Sequence, residues 1–209
     1  MDGTASQLFE ALDLTGTFVF AVAGGFRGTR HGLDLLGVLV LAVVTGVGGG
    51  LIRDMLIGAT PAASLADERY LIICLVGGIV AFLAAGRVAQ QWNKVMIADA
   101  VGLGVFAAIG AAKASAFGLG PVGVMGMAAL TATGGGVIRD VLVGEIPAVI
   151  RHDFYATAAL IGGAVFLAVE WVGFSNAWAI WSTSLIVTGL RFWAMAGNLR
   201  LPTAGVVAE

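Results

Sequence analysis

Residues 45–61, TGVGGGLIRDMLIGATP, return 86 positions later as residues 131–147, TATGGGVIRDVLVGEIP. The threonine, the three glycines, the isoleucine, the Arg-Asp pair, the leucine, the later glycine and the proline all fall in register. Each copy lies inside an apolar run, so the chain twice places its poorest helix formers and its most expensive charges where a helix would cross lipid. A fold that accepts this must give those backbones and charges a protein or water surround, because lipid supplies no partner for them.

The setting is a membrane one. Of the 209 residues 59% are hydrophobic and 11% charged, with a mean hydropathy of +0.97, far from the balance of a soluble domain. A span takes about 20 mostly apolar residues, and seven such runs occur, near 8–26, 33–57, 70–89, 96–113, 121–143, 154–172 and 178–197. The expected fold class is therefore an all-α polytopic membrane protein with seven transmembrane helices. The opening MDGTASQLFEALD carries Asp2, Glu10 and Asp13 without Lys or Arg, unlike the basic start of a cleavable signal peptide, and is expected to be retained. Setting aside Arg53 and Arg139, seven basic residues (Arg27, Arg30, Arg87, Lys94, Arg151, Arg191, Arg200) fall toward one side against two (Arg69, Lys113) toward the other. The positive-inside rule then puts the N-terminus outside and the C-terminus in the cytoplasm of a cell that carries this chain in its inner, plasma membrane. Trp171, Trp178, Trp181 and Trp193 mark the interfaces of the last two spans.

The duplication reaches beyond the glycines. DLTGTFVFA from Asp13 aligns with DAVGLGVFA from Asp99 at the same offset, Arg27 falls opposite Lys113, and YLIICLVGG aligns with YATAALIGG after a one-residue slip. The units are residues 1–92 and 93–174, three spans each, and an odd number of crossings between equivalent points makes the second unit inverted. Residues 175–209 hold a seventh helix without a counterpart, expected to pack outside the six-span body, and a tail. Inverted repeats of this kind place a transport site near the midplane, on Gly-interrupted helices at corresponding positions. The second and fifth spans answer that description.

Gly48, Gly49 and Gly50, with Gly134, Gly135 and Gly136, each forfeit about 1 kcal/mol of helix propensity relative to alanine. The expectation is a bend or opening there, with carbonyls exposed to a partly dehydrated cation; the alternative is close helix packing, the role expected of Gly24, Gly25, Gly77, Gly78, Gly162 and Gly163. Arg53-Asp54 and Arg139-Asp140 follow one turn on. Neighbours on a helix point about 100° apart, so the expected pairs cross between the repeats, Arg53 with Asp140 and Arg139 with Asp54, the alternative being groups that snorkel to the two surfaces.

Other polar residues add to the path or explain themselves locally. Thr45, Thr131 and Thr133 either offer hydroxyls to a pore or bond their own helix. Asp13 and Asp99 either suit a helix start or form cation vestibules at its two ends. Lys113 snorkels at the end of the fourth span. Cys74 packs as a small hydrophobe. His31 and His152 sit in charged turns without the ligand cluster a metal needs, so no metal and no cofactor are expected. Nothing pairs a nucleophile with a base or forms a phosphate loop, which argues against an enzyme; the net charge of −2 without basic clusters gives no reason for a nucleic-acid partner, and no soluble partner is inferred.

With seven spans, inverted three-span units and the doubled GGGLIRD and GGGVIRD, the chain resembles the prokaryotic trimeric intracellular cation (TRIC) channels, whose domain is also labelled a glycine transporter, across about its whole length. The resemblance implies a homotrimer among membrane lipids, one hourglass pore within each protomer, and monovalent cation conduction with potassium favoured as permeant ion. It makes the two glycine triplets the kinks of the pore-lining second and fifth helices, with Arg53, Asp54, Arg139 and Asp140 beside the pore. The phosphoinositide-binding basic cluster of animal members has no equivalent here. A carrier of a small solute such as glycine would keep the fold and turn the arginines into carboxylate ligands; a structural membrane protein would use the glycines for packing alone.

Overall fold

The computed structural model describes residues 3–88, 92–151 and 154–197. Among these the chain is helical throughout, without strands. The helices are α1 (Gly3–Arg30), α2 (Leu35–Leu56), α3 (Ala63–Ala66), α4 (Arg69–Val88), α5 (Trp92–Ala116), α6 (Pro121–Leu142), α7 (Ala148–Arg151), α8 (Tyr155–Trp171) and α9 (Asn176–Gly197). The side chains of Arg87, Lys94, Arg151, His152 and Arg200, used above for orientation or as a metal candidate, lie outside the described residues.

Among the described residues five helices are long and apolar enough to cross a membrane: Phe9–Arg30, Leu35–Leu56, Arg69–Gly86, Met96–Ala116 and Pro121–Leu142. The other two of the seven expected spans depart from that description. The α8 helix is apolar but only 17 residues long, about 26 Å at 1.5 Å per residue, against a hydrocarbon core of about 30 Å. The α9 helix has the length but interrupts its apolar surface with Ser182, Thr183, Ser184, Thr188 and Arg191.

Helix ends follow from local chemistry. Asp34 caps α2 by accepting from the Gly37 amide at 2.8 Å, whereas α6 starts with Pro121, whose missing N–H is not needed in a first turn. Both stop the same way: Gly58 (φ +74°) and Gly144 (φ +71°) take the left-handed conformation, and the next amides return to the Asp54 and Asp140 carbonyls at 2.8 and 2.9 Å.

Packing joins α1, α2 and α4 into one trio and α5, α6 and α8 into another. The trios meet where α1 lies on α5 and α2 on α6. Equivalent contacts recur at the 86-residue offset. Gly24 lies under Thr45 and the Leu41 carbonyl, as Gly110 does under Thr131 and the Met127 carbonyl. Phe20 and Phe106, themselves 86 apart, stack on each other at 4.9 Å between the trios. The small-residue packing expected of the paired glycines is present: Gly25 faces Ala81, Gly77 faces Ala21, and Gly162 faces Val187. Cys74 is fully buried against Gly46. Among the described residues the α9 helix packs chiefly on α5 and α8. It does not merely flank the body, since Ala179, Ile180 and Val187 enter the main core cluster.

Large apolar side chains line the outside, and on α4 these are Ile72, Leu75, Val76, Ile79 and Leu83. Water would not tolerate so continuous an apolar surface; lipid does.

Candidate functional site

The glycine triplets lie where α2 crosses α6, and both helices run unbroken through them. The expected opening is therefore absent. Three poor helix formers cost about 3 kcal/mol together, yet breaking backbone hydrogen bonds in a membrane interior costs several kcal/mol for each freed group. The triplets serve approach instead. A Cβ on Gly49 would strike the Thr131 carbonyl, and one on Gly135 would strike the Thr45 carbonyl. On Gly134 a Cβ would come within 3.1 Å of the Gly49 Cα, and on Gly48 within 3.4 Å of the Gly135 Cα. Gly50 and Gly136 face differently: their nearest neighbours are the guanidinium groups of Arg53 and Arg139, at 3.7 and 3.6 Å. The threonines bond their own helices, Thr45 to Leu41 and Thr131 to Met127 at 2.6 Å, and Thr133 to Ala129 at 2.8 Å.

One turn past the triplets the charges pair, but not as expected. Arg53 Nε donates to Asp54 Oδ1 at 2.8 Å, and Arg139 Nε to Asp140 Oδ1 at 2.9 Å. Each arginine folds back on its own neighbour, because its long arm spans the 100° between adjacent positions. The second carboxylate oxygen is taken by a backbone amide, Ala63 to Asp54 at 3.0 Å and Ala148 to Asp140 at 3.1 Å. The cross-trio partners come from α1 and α5 instead. Lys113 Nζ reaches Asp54 Oδ1 at 2.8 Å and so is no snorkelling lysine; Arg27 Nη2 approaches Asp140 Oδ1 at 3.8 Å. Both Asp54 and Asp140 are 1% exposed, which also excludes the surface-snorkelling alternative for the two Arg-Asp pairs. Arg27 is shared with Glu145, which also meets His31 at 2.9 Å.

Asp13 is buried and Asp99 half-buried. Tyr70 OH donates to Asp13 Oδ2 at 2.7 Å. Asp13, Thr17, Arg53, Asp54, Ser64 and Tyr70 are among the residues lining a cavity of about 20 Å³, room for roughly one water molecule. Arg53 Nη1 and Ser64 Oγ are buried without a hydrogen-bond partner among the described residues. The Tyr155 hydroxyl donates to Asp99, which also lies within the fields of Arg139, Arg191 and Asp140, and the Arg191 guanidinium covers the Tyr155 ring at 4.8 Å.

Sequence reasoning misses Tyr70, Tyr155, Ser64 and Glu145, uses Arg191 only to count charge, and uses Arg27 for charge and as the counterpart of Lys113 without a site role. The tyrosines are legible as the leading residues of YLIICLVGG and YATAALIGG; Ser64 leaves no such signal. Among the described residues no group of His, Cys, Asp and Glu could hold a metal ion.

Comparison with known proteins fits this geometry. The family described as glycine transporter matches residues 10–86 and again 96–171. A UPF0126 membrane protein of Deinococcus radiodurans is 43% identical over 202 residues, covering 95% of this chain and 93% of the relative. The UPF0126 inner membrane protein YadS of Escherichia coli is 40% identical over 196 residues, covering 92% and 94%. The solved structure that gives the structural basis for conductance through TRIC cation channels superposes with a TM-score of 0.90 at 35% identity, over 96% of this chain and 99% of that one. The TRIC channel orthologue from Rhodobacter sphaeroides follows at 0.87 and 35% identity, over 92% and 99%. The chain belongs to the TRIC family. The double match of one family domain falls on the two helix trios of this TRIC-family chain, and the gap between its segments falls between α4 and the start of the first apolar stretch of α5.

Proposed function

We propose that the chain is a monovalent cation channel, with potassium as permeant ion, whose path runs inside the protomer between α2 and α6. The observation that carries this is the set of buried polar groups along α1, α2 and α6, in which each arginine is hydrogen-bonded to its neighbouring aspartate and Asp13 lines a cavity with Arg53, Asp54 and Tyr70. Charges closed on one another repel a cation little, and a carboxylate in low dielectric attracts one strongly. The solved TRIC structures, similar over nearly the whole chain, support the same reading. On it, the two trios are inverted repeats at residues 1–92 and 93–174, α9 and the tail follow from 175, and seven helices span the inner membrane with the N-terminus outside. The channel is a homotrimer in lipid, needs no cofactor and catalyses no reaction. Gly48, Gly49, Gly50, Gly134, Gly135 and Gly136 fix the crossing that holds the path, and the triplets bend the two helices about it.

The family description favours a second reading, a carrier of glycine, and the unpartnered Arg53 Nη1 would suit a carboxylate. A cavity with room for one water does not admit an amino acid, which supports the channel over the carrier. Purified protein in planar bilayers under a KCl gradient decides between them. The channel predicts unitary currents reversing toward the potassium equilibrium potential, with glycine neither carrying current nor competing. Saturable glycine uptake without unitary steps, or reversal toward the chloride potential, would overturn it.

A further inference from the structure

The Arg191 side chain belongs to α9, which has no counterpart in the other half, and it points into the body. It is 9% exposed, its guanidinium lies over the Tyr155 ring at 4.8 Å, and its Nε has no hydrogen-bond partner among the described residues. Among those residues, no carboxylate holds it in a bidentate grip of the kind buried arginines usually receive. What surrounds it is a ring face and the field of Asp99, a carboxylate that also lies in the field of Arg139. In the first trio the corresponding aspartate and tyrosine are Asp13 and Tyr70. There the neighbouring space is the cavity beside Arg53, Asp54 and Ser64, and no α9 residue lines it. The two halves thus present one pair, aspartate with tyrosine, once beside a cavity and once beneath a cation delivered by the chain itself.

We propose that Arg191 is a tethered cation occupying, beside Asp99 and Tyr155, the place that a permeating monovalent cation takes beside Asp13 and Tyr70. The proposal rests on the cation-channel reading and deepens it. One end of the path accepts free cations and the other is self-occupied, so a single protomer conducts unequally in its two directions although its halves are built alike. Because a ring face and a field hold the guanidinium, and not a closed salt bridge, its removal leaves an electronegative place and not a collapsed core.

Two measurements on full-length protein test this. In planar bilayers with equal KCl on both sides, wild type should rectify. Arg191→Met should carry roughly two-fold or more current in the restricted direction, as a lost like charge in a low-dielectric path implies, with rectification reduced. Arg191→Lys, which keeps the charge, should stay close to wild type. Melting in detergent gives a readout independent of conduction, comparing KCl with choline chloride at equal ionic strength. Arg191→Met should gain a potassium-specific rise in Tm beyond that of wild type, and Arg191→Met with Asp99→Asn should lose the gain. If Arg191→Met matches wild type in rectification and gains no potassium-specific rise, the tethered-cation role is overturned. A wild type without unitary currents overturns the channel reading instead, and the potassium dependence of melting then decides the role of Arg191.

Discussion

The two halves of the molecule carry the same motif in different electrostatic company. Around Asp54 everything closes in one step: Arg53 from its own helix, the Ala63 amide, and Lys113 from the other trio at 2.8 Å. Around Asp140 the inner pair and the Ala148 amide are matched, but the incoming cation stands off at 3.8 Å because Glu145, itself paired with His31, draws Arg27 outward. The difference traces to three aligned positions, Lys113 opposite Arg27, Ala59 opposite Glu145 and Phe117 opposite His31. The two copies therefore share the backbone crossing, while substitutions at the helix ends re-route the cation that meets the buried carboxylate.

The largest expected effect tests what the halves share. Gly49→Leu or Gly135→Leu drives a side chain into the Thr131 or Thr45 carbonyl across the α2–α6 crossing. Backbone on each side leaves little room to relax, so overpacking should reach the upper end of its usual range, about 3 kcal/mol or more. Size-exclusion profiles in detergent should show either variant losing most of its folded, assembled protein. Tolerance of leucine at one glycine and not at the other would mean that the crossing is not equivalent in the two copies.

The next prediction separates them. Asp54→Asn leaves Arg53 and Lys113 facing a neutral amide, whereas Asp140→Asn strands Arg139 only, which keeps the field of Asp99, since Arg27 keeps Glu145. Uncompensated buried charge costs about 3–5 kcal/mol, and Asp54→Asn should approach that figure while Asp140→Asn falls clearly short of it in thermal melts. Equal losses would show that Glu145 does not support Arg27.

A double-mutant cycle sharpens the same point at smaller scale. Lys113→Met with Asp54→Asn should show a coupling of about 1–3 kcal/mol, as expected for groups in direct contact. Arg27→Met with Asp140→Asn should show less, the distance being 3.8 Å against 2.8 Å. Stronger coupling at Arg27 would reverse the assignment of the tight and the shared site.

These sites show what a linear reading reaches. The 86-residue offset locates both triplets, both Arg-Asp pairs and even the equivalence of Arg27 with Lys113, because each is a matched letter in two strings. It pairs the charges wrongly because pairing depends on arm length and on which helix crosses which. A guanidinium that curls back onto its neighbour leaves the carboxylate's remaining demand to α1 and α5, and no spacing rule announces that. Propensity alone turns the triplets into openings; the cost of unsatisfied backbone in lipid outweighs it and keeps α2 and α6 continuous. Arg191 is visible in the sequence only as one charge in an apolar stretch, since its partners Tyr155 and Asp99 lie on α8 and α5.

The smallest expected effect concerns the two tyrosines. Tyr70→Phe removes a 2.7 Å hydrogen bond to a carboxylate that is 8% exposed. Bonds to charged acceptors contribute about 1.5–3 kcal/mol, and an acceptor left short of partners adds its desolvation penalty. Water entering the adjoining cavity can replace part of that bond, so the observed loss should settle near about 1.5 kcal/mol, the lower end of that range. Tyr155→Phe also removes a hydroxyl that serves an aspartate, yet it should cost less still, because the phenyl ring keeps its face toward Arg191, and Arg139 and Arg191 continue to balance Asp99. Melting of the two variants side by side checks the order. Should Tyr155→Phe prove the more damaging, its hydroxyl and not its ring would be the group that organises the second half, and the likeness between the two aspartate-tyrosine pairs would be closer than their surroundings imply.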